Sequence, residues 1–264
     1  MPTDPTPHDS LFVATFSKPD NAIAHFKVHL PGKLYDRLDW NTIHRESPGF
    51  KDPKLSNRST DLLFSVQWKE REAAPLVLIV FEHQSTDDHL MTFRVLRYMV
   101  AYWTQWLELA ENSTAKRLPL VVPTVLYTGR KRWRSATQLN DIVGPPDLEP
   151  ELREIAPNLK LLLMDLSQHK VTELHGSDQN IVSMGLLKGG FDADLIETLK
   201  RTLDLLRNRD GFYFPIQVID YLCRNDRYLR TLDNDETMLM VLTEHFTENE
   251  MEFSQRMAKL RFEQ

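Results

Sequence analysis

Two acidic residues and one amide carry the spacing of a metal centre. Asp61 stands before the apolar segment 62–66, while Glu82 and Gln84 follow the apolar segment 76–81. Carboxylates that face each other across paired strands have Cβ atoms roughly 4.5 to 5.5 Å apart, so that both can reach one Mg²⁺. A metal held by carboxylates polarises a phosphoryl oxygen and generates hydroxide near neutral pH. The residue types therefore indicate metal-assisted hydrolysis.

A β-hairpin would bring these residues together. The apolar patterns predict strands over 60–68 and 76–84, and the polar segment 69–75 connects them. If the hairpin is symmetric about residue 71 or 72, Asp61 falls opposite Glu82, and the strand period of two puts Gln84 on the same face as Glu82. Two facing carboxylates repel each other, so we expect a bound metal or a raised pKa there.

The remaining elements are predicted from periodicity and from turn residues. We expect Pro123 at a strand edge, a bulge or an unpaired position, and cap oxygens for the long helix from 85–88. Residues 1–7 are interpreted as a flexible leader, and Gly189-Gly190 as a hinge before a helical C-terminal part. The predicted elements are helices over 9–17, 20–29, 33–38 and 90–111, strands over 42–46, 118–127 and 160–166, and C-terminal helices over 192–209, 215–230 and 235–262.

Composition restricts the class of protein. The 264 residues are 41% hydrophobic and 27% charged, which is ordinary for a globular chain. The net charge of −6 argues against a protein that coats nucleic acid by bulk electrostatics, although it leaves room for a basic cleft. The single cysteine, Cys223, excludes an intramolecular disulfide and a cysteine-based zinc cluster, and favours a cytoplasmic setting. No apolar run approaches the roughly 18 residues of a spanning helix, and no signal-peptide pattern is present.

Several motifs in a fixed order resemble those of one family. They are His8-Asp9-Ser10-Leu11-Phe12, Phe26-Lys27-Val28-His29-Leu30-Pro31, Thr60-Asp61-Leu62-Leu63-Phe64, Glu82-His83-Gln84-Ser85, the segment from Met91 to Tyr98, and the segment from Leu118 to Tyr127 followed by Gly129 and Trp133. Over roughly residues 8 to 180 the chain resembles the Rpn family of recombination-promoting nucleases, also described as YhgA-like transposases.

The resemblance implies an α/β fold of the PD-(D/E)XK type, a mixed sheet flanked by helices over 8–188, with a helical region over 191–264. It also implies DNA endonuclease activity supported by Mg²⁺, or by another divalent cation such as Mn²⁺ or Ca²⁺. Asp61 and Glu82 match the metal ligands. Gln84 matches a third catalytic position that is Lys in the wider superfamily; glutamine can orient a water but supplies no positive charge. Glu46, on the preceding strand or its edge, is a possible additional acid.

Two sets of basic residues are candidates for DNA contacts. Arg94 and Arg97 lie one helical turn apart after Gln84 and could hold phosphates, although they could equally pair with Asp87 or Asp88. The second set is a loop in which Trp133 could stack on an exposed base, or which is simply solvated. Its basic residues are Arg130, Lys131, Arg132 and Arg134.

Three alternatives stay open. His25 and His29 have the i, i+4 spacing of a zinc pair, but without a nearby glutamate motif or third ligand we expect partly buried histidines. His8-Asp9 could indicate an HD phosphohydrolase, but a helix cap by His8 fits better. Finally, the missing lysine and the acidic charge allow a catalytically weak or inactive nuclease fold that acts as a DNA-binding or protein-interaction module, with a homo-oligomer formed through 191–264.

Overall fold

The computed structural model describes residues 6–46, 62–70, 76–109 and 112–189, together with Val218, Tyr221, Arg224 and Asn225. Short 3₁₀ turns cover Leu139–Ile142, Leu166–Gln168 and Val171–Glu173. The helices and strands are α1 (Pro7–Phe16), α2 (Pro19–His29), α3 (Gly32–Tyr35), β1 (Leu38–Glu46), β2 (Leu62–Trp68), β3 (Val77–Gln84), α4 (Met91–Glu108), β4 (Leu120–Tyr127), α5 (Pro150–Glu154), β5 (Leu162–Asp165) and α6 (Asp178–Gly189).

The strands form one mixed sheet in the order β1-β2-β3-β4-β5. β1, β2 and β3 are antiparallel, whereas β3, β4 and β5 are parallel. Because parallel neighbours need a crossover, the chain passes through α4 between β3 and β4. This α/β architecture, a five-stranded mixed sheet with flanking helices, confirms the predicted fold class.

The register of the β2–β3 pair agrees with the predicted hairpin. Leu62 pairs with Phe81, and the pairing continues in step to Val66 and Val77. Each described pair has the same sum of residue numbers as 61 and 82. Asp61 lies outside the described residues, so its position opposite Glu82 stays a prediction.

Each face of the sheet covers a hydrophobic core of its own. The core under α1, α2 and α6 contains Phe12, Phe16 and Phe26, together with Phe64 and Phe81 from the sheet. The core under α4 contains Leu63, Leu78, Val80, Val125, Met91, Val95 and Tyr98. β3 contributes alternate residues to both cores, which explains its continuous apolar sequence.

The start of α1 corrects one expectation. Thr6 is the N-cap: its hydroxyl accepts from the Asp9 backbone N–H at 3.2 Å, and the Asp9 carboxylate accepts from the Thr6 N–H at 3.3 Å. Pro7, with its fixed φ, suits the first helical position. The prediction that His8 caps this helix is therefore wrong, because His8 already lies inside the first turn.

The start of α4 also differs from its prediction. The N-cap is Leu90, which has no side-chain cap bond, so the expected cap within 85–88 is wrong. Asp88 acts just outside the helix, where its carboxylate accepts from the Leu90 N–H at 2.9 Å. α3 likewise ends at Tyr35, earlier than predicted, since the chain enters β1 at Leu38.

Pro123 lies where a missing N–H is tolerated. It is paired in register with Val80 of β3, but the β4–β5 ladder begins only at Thr124. Pro123 is therefore paired with β3 but not with β5, which fits the predicted unpaired position on one side.

The C-terminal predictions fall largely outside the described residues, as does Gly190 of the predicted hinge. Val218 and Tyr221 are helical and buried in the core under α1 and α6, and the Tyr221 hydroxyl donates to the Leu186 carbonyl at 3.3 Å. The domain boundaries 1–7, 8–188 and 191–264 stay predictions. Among the described helices, none is both long and apolar enough to cross a membrane.

Candidate active site

Glu82 and Gln84 lie next to each other at the C-terminal end of β3. The side chain of Glu82 faces the α4 side of the sheet, two residues after Val80, and the residue is only 1% exposed. The Gln84 amide nitrogen donates to the Glu82 Oε1 at 2.9 Å and to the His83 carbonyl at 2.7 Å. Because both partners are acceptors, this network fixes which end of the amide is nitrogen.

Arg94 of α4 completes the surroundings of Glu82. Its Nη2 lies 2.5 Å from Glu82 Oε1, and its Nη1 lies 2.7 Å from Asp88 Oδ2. A buried carboxylate is costly unless it is paired, so this guanidinium stabilises Glu82 in its ionised form. The alternative in which Arg94 pairs with Asp88 is confirmed, and the pairing with Glu82 was not foreseen. Arg97 lies one turn further along α4 and is partly buried.

Glu46 ends β1 on the same face of the sheet. It is paired with Leu63, whose neighbour Val80 lies in the α4 core. The Glu46 Oε1 accepts from the Ser65 hydroxyl at 2.6 Å. Burial, and then the charge of Glu46, raise the pKa of Tyr102 on α4. The predicted placement on the strand before β2 is confirmed.

The basic loop begins at the same end of the sheet. Gln84 is in register with Tyr127, and Arg130, Lys131 and Arg132 follow as exposed residues. The Asp87 carboxylate accepts from the backbone N–H groups of Arg134 at 3.0 Å and Ser135 at 3.3 Å, which ties the loop to the start of α4.

Trp133 corrects the prediction of a base-stacking residue. It is 6% exposed, and its ring packs edge-on against Tyr127 with centroids 5.0 Å apart. Its indole N–H donates to the Ser135 carbonyl at 2.8 Å. The side chain anchors the loop, so it cannot present a face to an exposed base.

Comparison with known protein families places the chain in one of them. The family model described as "Putative transposase, YhgA-like" matches residues 6–213. The chain belongs to this family.

Three named nucleases or nuclease-like proteins are similar to this chain over much of its length. It is 32% identical to the recombination-promoting nuclease RpnD of Escherichia coli O157:H7, covering 65% of this chain and 70% of RpnD. It is 38% identical to the recombination-promoting nuclease RpnC of Escherichia coli K12, covering 64% of this chain and 59% of RpnC. It is also 27% identical to the inactive recombination-promoting nuclease-like protein RpnE of Escherichia coli K12, covering 73% and 68%. The chain thus spans less than two thirds of RpnC. No solved structure matches.

The site of this YhgA-like chain offers hard oxygen donors. The Glu82 carboxylate and the Gln84 carboxamide are the ligand types that Mg²⁺ accepts in proteins. Within the part of the chain that the structure describes, no group of three or more His, Cys, Asp or Glu residues could hold a metal ion. Asp61, the predicted second carboxylate, lies outside these ranges and adjoins the described end of β2.

His83, between the two site residues, was not singled out from the sequence. It points to the opposite face, where Nδ1 lies 3.0 Å from Asp9 Oδ1 and Nε2 lies 3.0 Å from the Thr128 hydroxyl. The Thr128 N–H donates to the Gln84 carbonyl at 2.8 Å. The strand period was the available signal, because it turns residue 83 away from residues 82 and 84.

This chain of contacts connects α1 to the ends of β3 and β4. Burial raises the pKa of Asp9, but hydrogen bonds from His83 and Thr6 outweigh it and lower the pKa overall. An ionised Asp9 can accept from the Nδ1–H of His83, while Nε2 lies within hydrogen-bond distance of the Thr128 hydroxyl. His83 thereby connects Asp9 of α1 to Thr128, which follows β4.

Proposed function

We propose that this protein is a divalent-metal-dependent DNA endonuclease of the recombination-promoting type, which hydrolyses phosphodiester bonds. The observation that carries the proposal is the buried Glu82 carboxylate, adjacent to Gln84 at the end of a central strand. The predicted hairpin would put Asp61 on the same face. The names of RpnD and RpnC support it.

Asp61 and Glu82 would hold the metal, and Mg²⁺, Mn²⁺ and Ca²⁺ all take such oxygen ligands. When bound, a divalent ion polarises a phosphoryl oxygen and lowers the pKa of a coordinated water. Glu46 lies at the edge of the same face as Glu82 and is the proposed additional acid.

Gln84 would orient the attacking water through its amide. Its nitrogen donates to Glu82, so its oxygen is the atom that can accept from a water O–H. A glutamine cannot stabilise charge as the lysine of the wider superfamily does, so proton removal would depend on the carboxylates.

DNA would be held by cations at the same edge. The exposed Arg130, Lys131 and Arg132 are the proposed phosphate contacts of the loop. Arg97, on α4, is a further proposed contact. Arg94 would shift from Glu82 toward a phosphate when the carboxylate takes a metal, since one guanidinium serves either anion.

Plasmid cleavage tests the proposal directly. Supercoiled plasmid is incubated with purified protein while Mg²⁺, Mn²⁺ or Ca²⁺ is titrated, and the nicked and linear products are measured. We expect metal-dependent nicking, at least 100-fold slower in Asp61→Asn and in Glu82→Gln. Glu151→Gln, an exposed acid on α5, is the matched control and should cleave like the wild type. Wild-type rates in both site variants would refute the assignment.

One observation favours a second function, a DNA-binding module without cleavage. Arg94 already neutralises Glu82, and the lysine position carries Gln84. The name of RpnE shows that the family includes inactive members. If this function holds, fluorescence anisotropy will detect DNA binding that is unchanged by EDTA and by Glu82→Gln but weakened by substitution of Arg130, Lys131 and Arg132. Metal-dependent product formation would exclude it.

A further inference from the structure

We propose that the outer face of α4 binds the same face of a second copy of this chain, as an antiparallel helix pair with two-fold symmetry. The proposal concerns assembly, so it does not depend on the proposed nuclease activity. It also puts the contact between copies on a different segment from 191–264, the region predicted from the sequence to form a homo-oligomer.

α4 is apolar on two sides. On its inner side, Met91 and Val95 lie in the core under this helix. On its outer side, Phe93, Val100 and Leu107 are 48%, 49% and 39% exposed. A surface helix of a globular protein needs only one apolar stripe, and contiguous exposed apolar surface is typical of an interaction site. The second stripe therefore calls for a partner.

The outer stripe has the spacing of a helix–helix contact. It consists of Phe93, Leu96, Val100, Trp103 and Leu107, of which Leu96 and Trp103 are partly buried. The steps along the stripe alternate between three and four residues, which is the a/d pattern of packed helices. At a rise of 1.5 Å per residue the stripe is about 21 Å long. Another helix is the partner that fits it, and the short contact implies a reversible complex.

The polar atoms at the stripe already have partners within this chain. The Trp103 indole N–H donates to the Pro119 carbonyl at 3.0 Å. The Thr104 hydroxyl, which borders the stripe, donates to the Val100 carbonyl at 2.9 Å. An apolar helix can therefore cover the stripe without leaving these two donors buried and unsatisfied, which would oppose binding.

The charges beside the stripe favour a second copy in the antiparallel orientation. Arg97, Thr104 and Glu108 share one flank of the stripe, because they are spaced by seven and four residues along the helix. Two parallel copies would bring arginine to arginine and glutamate to glutamate. Antiparallel copies bring the basic half of each flank toward the acidic end of the other, and they also oppose the helix dipoles.

A flank of this kind complements itself under a two-fold rotation. That is the requirement for an isologous interface, in which both copies use the same surface. The attraction acts between the two flanks as a whole and needs no direct ion pair. A second copy of the chain thus satisfies both the apolar spacing and the charge order of α4.

The test is sedimentation equilibrium of the full chain over a dilution series. We expect a reversible monomer–dimer equilibrium, with a dissociation constant at least about tenfold higher in Val100→Glu/Leu107→Glu, because these changes put charges into the apolar contact. Ile155→Glu is the matched control. Ile155 is an apolar residue directly after α5 and is 81% exposed, so this variant should dimerise like the wild type. Thermal unfolding checks that all three proteins are folded.

A second measurement needs no variant. The indole N–H resonance of Trp103 in the wild type should shift over the same dilution series, while that of the buried Trp133 stays in place. A monomeric wild type, equal dissociation constants in the wild type and the stripe variant, an equal loss in Ile155→Glu, or a Trp103 resonance that ignores concentration would each overturn the proposal. Plasmid cleavage is not part of either readout, so a failure of the nuclease proposal would be seen separately.

Discussion

At the scale of single residues, Arg94 is the cation that bridges two carboxylates in the candidate site. One guanidinium contacts both Glu82 and Asp88, and its side chain is 14% exposed. Removal of one partner from a buried ion pair is far more damaging than removal of a surface charge, because the remaining charge stays desolvated.

Arg94→Gln should therefore lower the free energy of unfolding by about 3 kcal/mol. Urea denaturation at pH 7 measures this change. Arg130→Gln removes an exposed cation of the basic loop and should stay within about 0.5 kcal/mol of the wild type. Equal losses of unfolding free energy in the two variants would contradict the conclusion that the buried ion pair of Arg94 stabilises the fold.

His83 is expected to stabilise the fold through both of its ring nitrogens. His83→Leu removes the partner of Asp9 Oδ1 and one of the contacts of the Thr128 hydroxyl, and should cost about 2 kcal/mol. A double-mutant cycle with Asp9→Asn checks the contact, since the two changes should cost less together than the sum of the single changes. Strict additivity would show that Asp9 and His83 are not coupled.

Part of this site could be predicted from the sequence. The period of two correctly put Glu82 and Gln84 on one face, because it follows from backbone geometry alone. The contact of Arg94 with Glu82 was missed because it depends on how α4 packs on the sheet. Trp133 was misassigned because an aromatic residue in a basic loop looks the same in sequence whether it is buried or exposed.

At the scale of elements, the exit from β4 depends on Gly129. A Cβ atom on this residue would lie 2.2 Å from the Tyr127 hydroxyl oxygen and 2.6 Å from Cε2 of the same ring. That ring is 3% exposed and packs against Trp133, so it has little room to move.

Gly129→Ala should therefore lower the free energy of unfolding by about 2 kcal/mol, the usual range for overpacking. Gly32→Ala is the control, because nothing lies within 4 Å of a Cβ atom there, and this variant should be as stable as the wild type or slightly more so. Thermal denaturation of both variants measures the difference. A neutral Gly129→Ala would show that Tyr127 relocates freely.

The elements themselves were largely predictable, since apolar periodicity and turn residues are local properties. The start of α4 was not, because Asp87 makes its hydrogen bonds to the distant Arg134 and Ser135 instead of capping the helix. The order of the strands could not follow from periodicity, and the family resemblance implied only a mixed sheet flanked by helices.

At the scale of the whole molecule, buried histidines link stability to pH. Burial and then the charge of His83 lower the pKa of His8 to about 4, although Asp9 opposes the shift. His29 has the same lowered value. In the unfolded chain both titrate near 6.5, so between about 4 and 6.5 the unfolded state binds more protons.

Stability should therefore be fully present above pH 6.5 and fall as the pH is lowered toward 4. Between pH 7 and pH 5 each of the two groups contributes a loss of at most about 2 kcal/mol. Asp9 adds nothing in this window, because a lowered carboxyl pKa matters only below its ordinary value of 3.8. Urea midpoints in EDTA at the two pH values measure the loss, which should shrink in His8→Gln/His29→Gln. The same loss in that variant would contradict the link.

The assignment of β3 residues to two cores has a consequence for how this family can vary in length. Phe81, Glu82 and His83 face alternate sides, so deletion of one residue between Val77 and Phe81 would drive a carboxylate into the aromatic core and a phenylalanine toward Arg94. Substitutions can accumulate in this strand one at a time, whereas an insertion or deletion changes every later contact at once. Homologous chains should therefore differ in length at the connections between strands. A set of single-codon deletions, one at each position of β3, should destabilise the fold in every case.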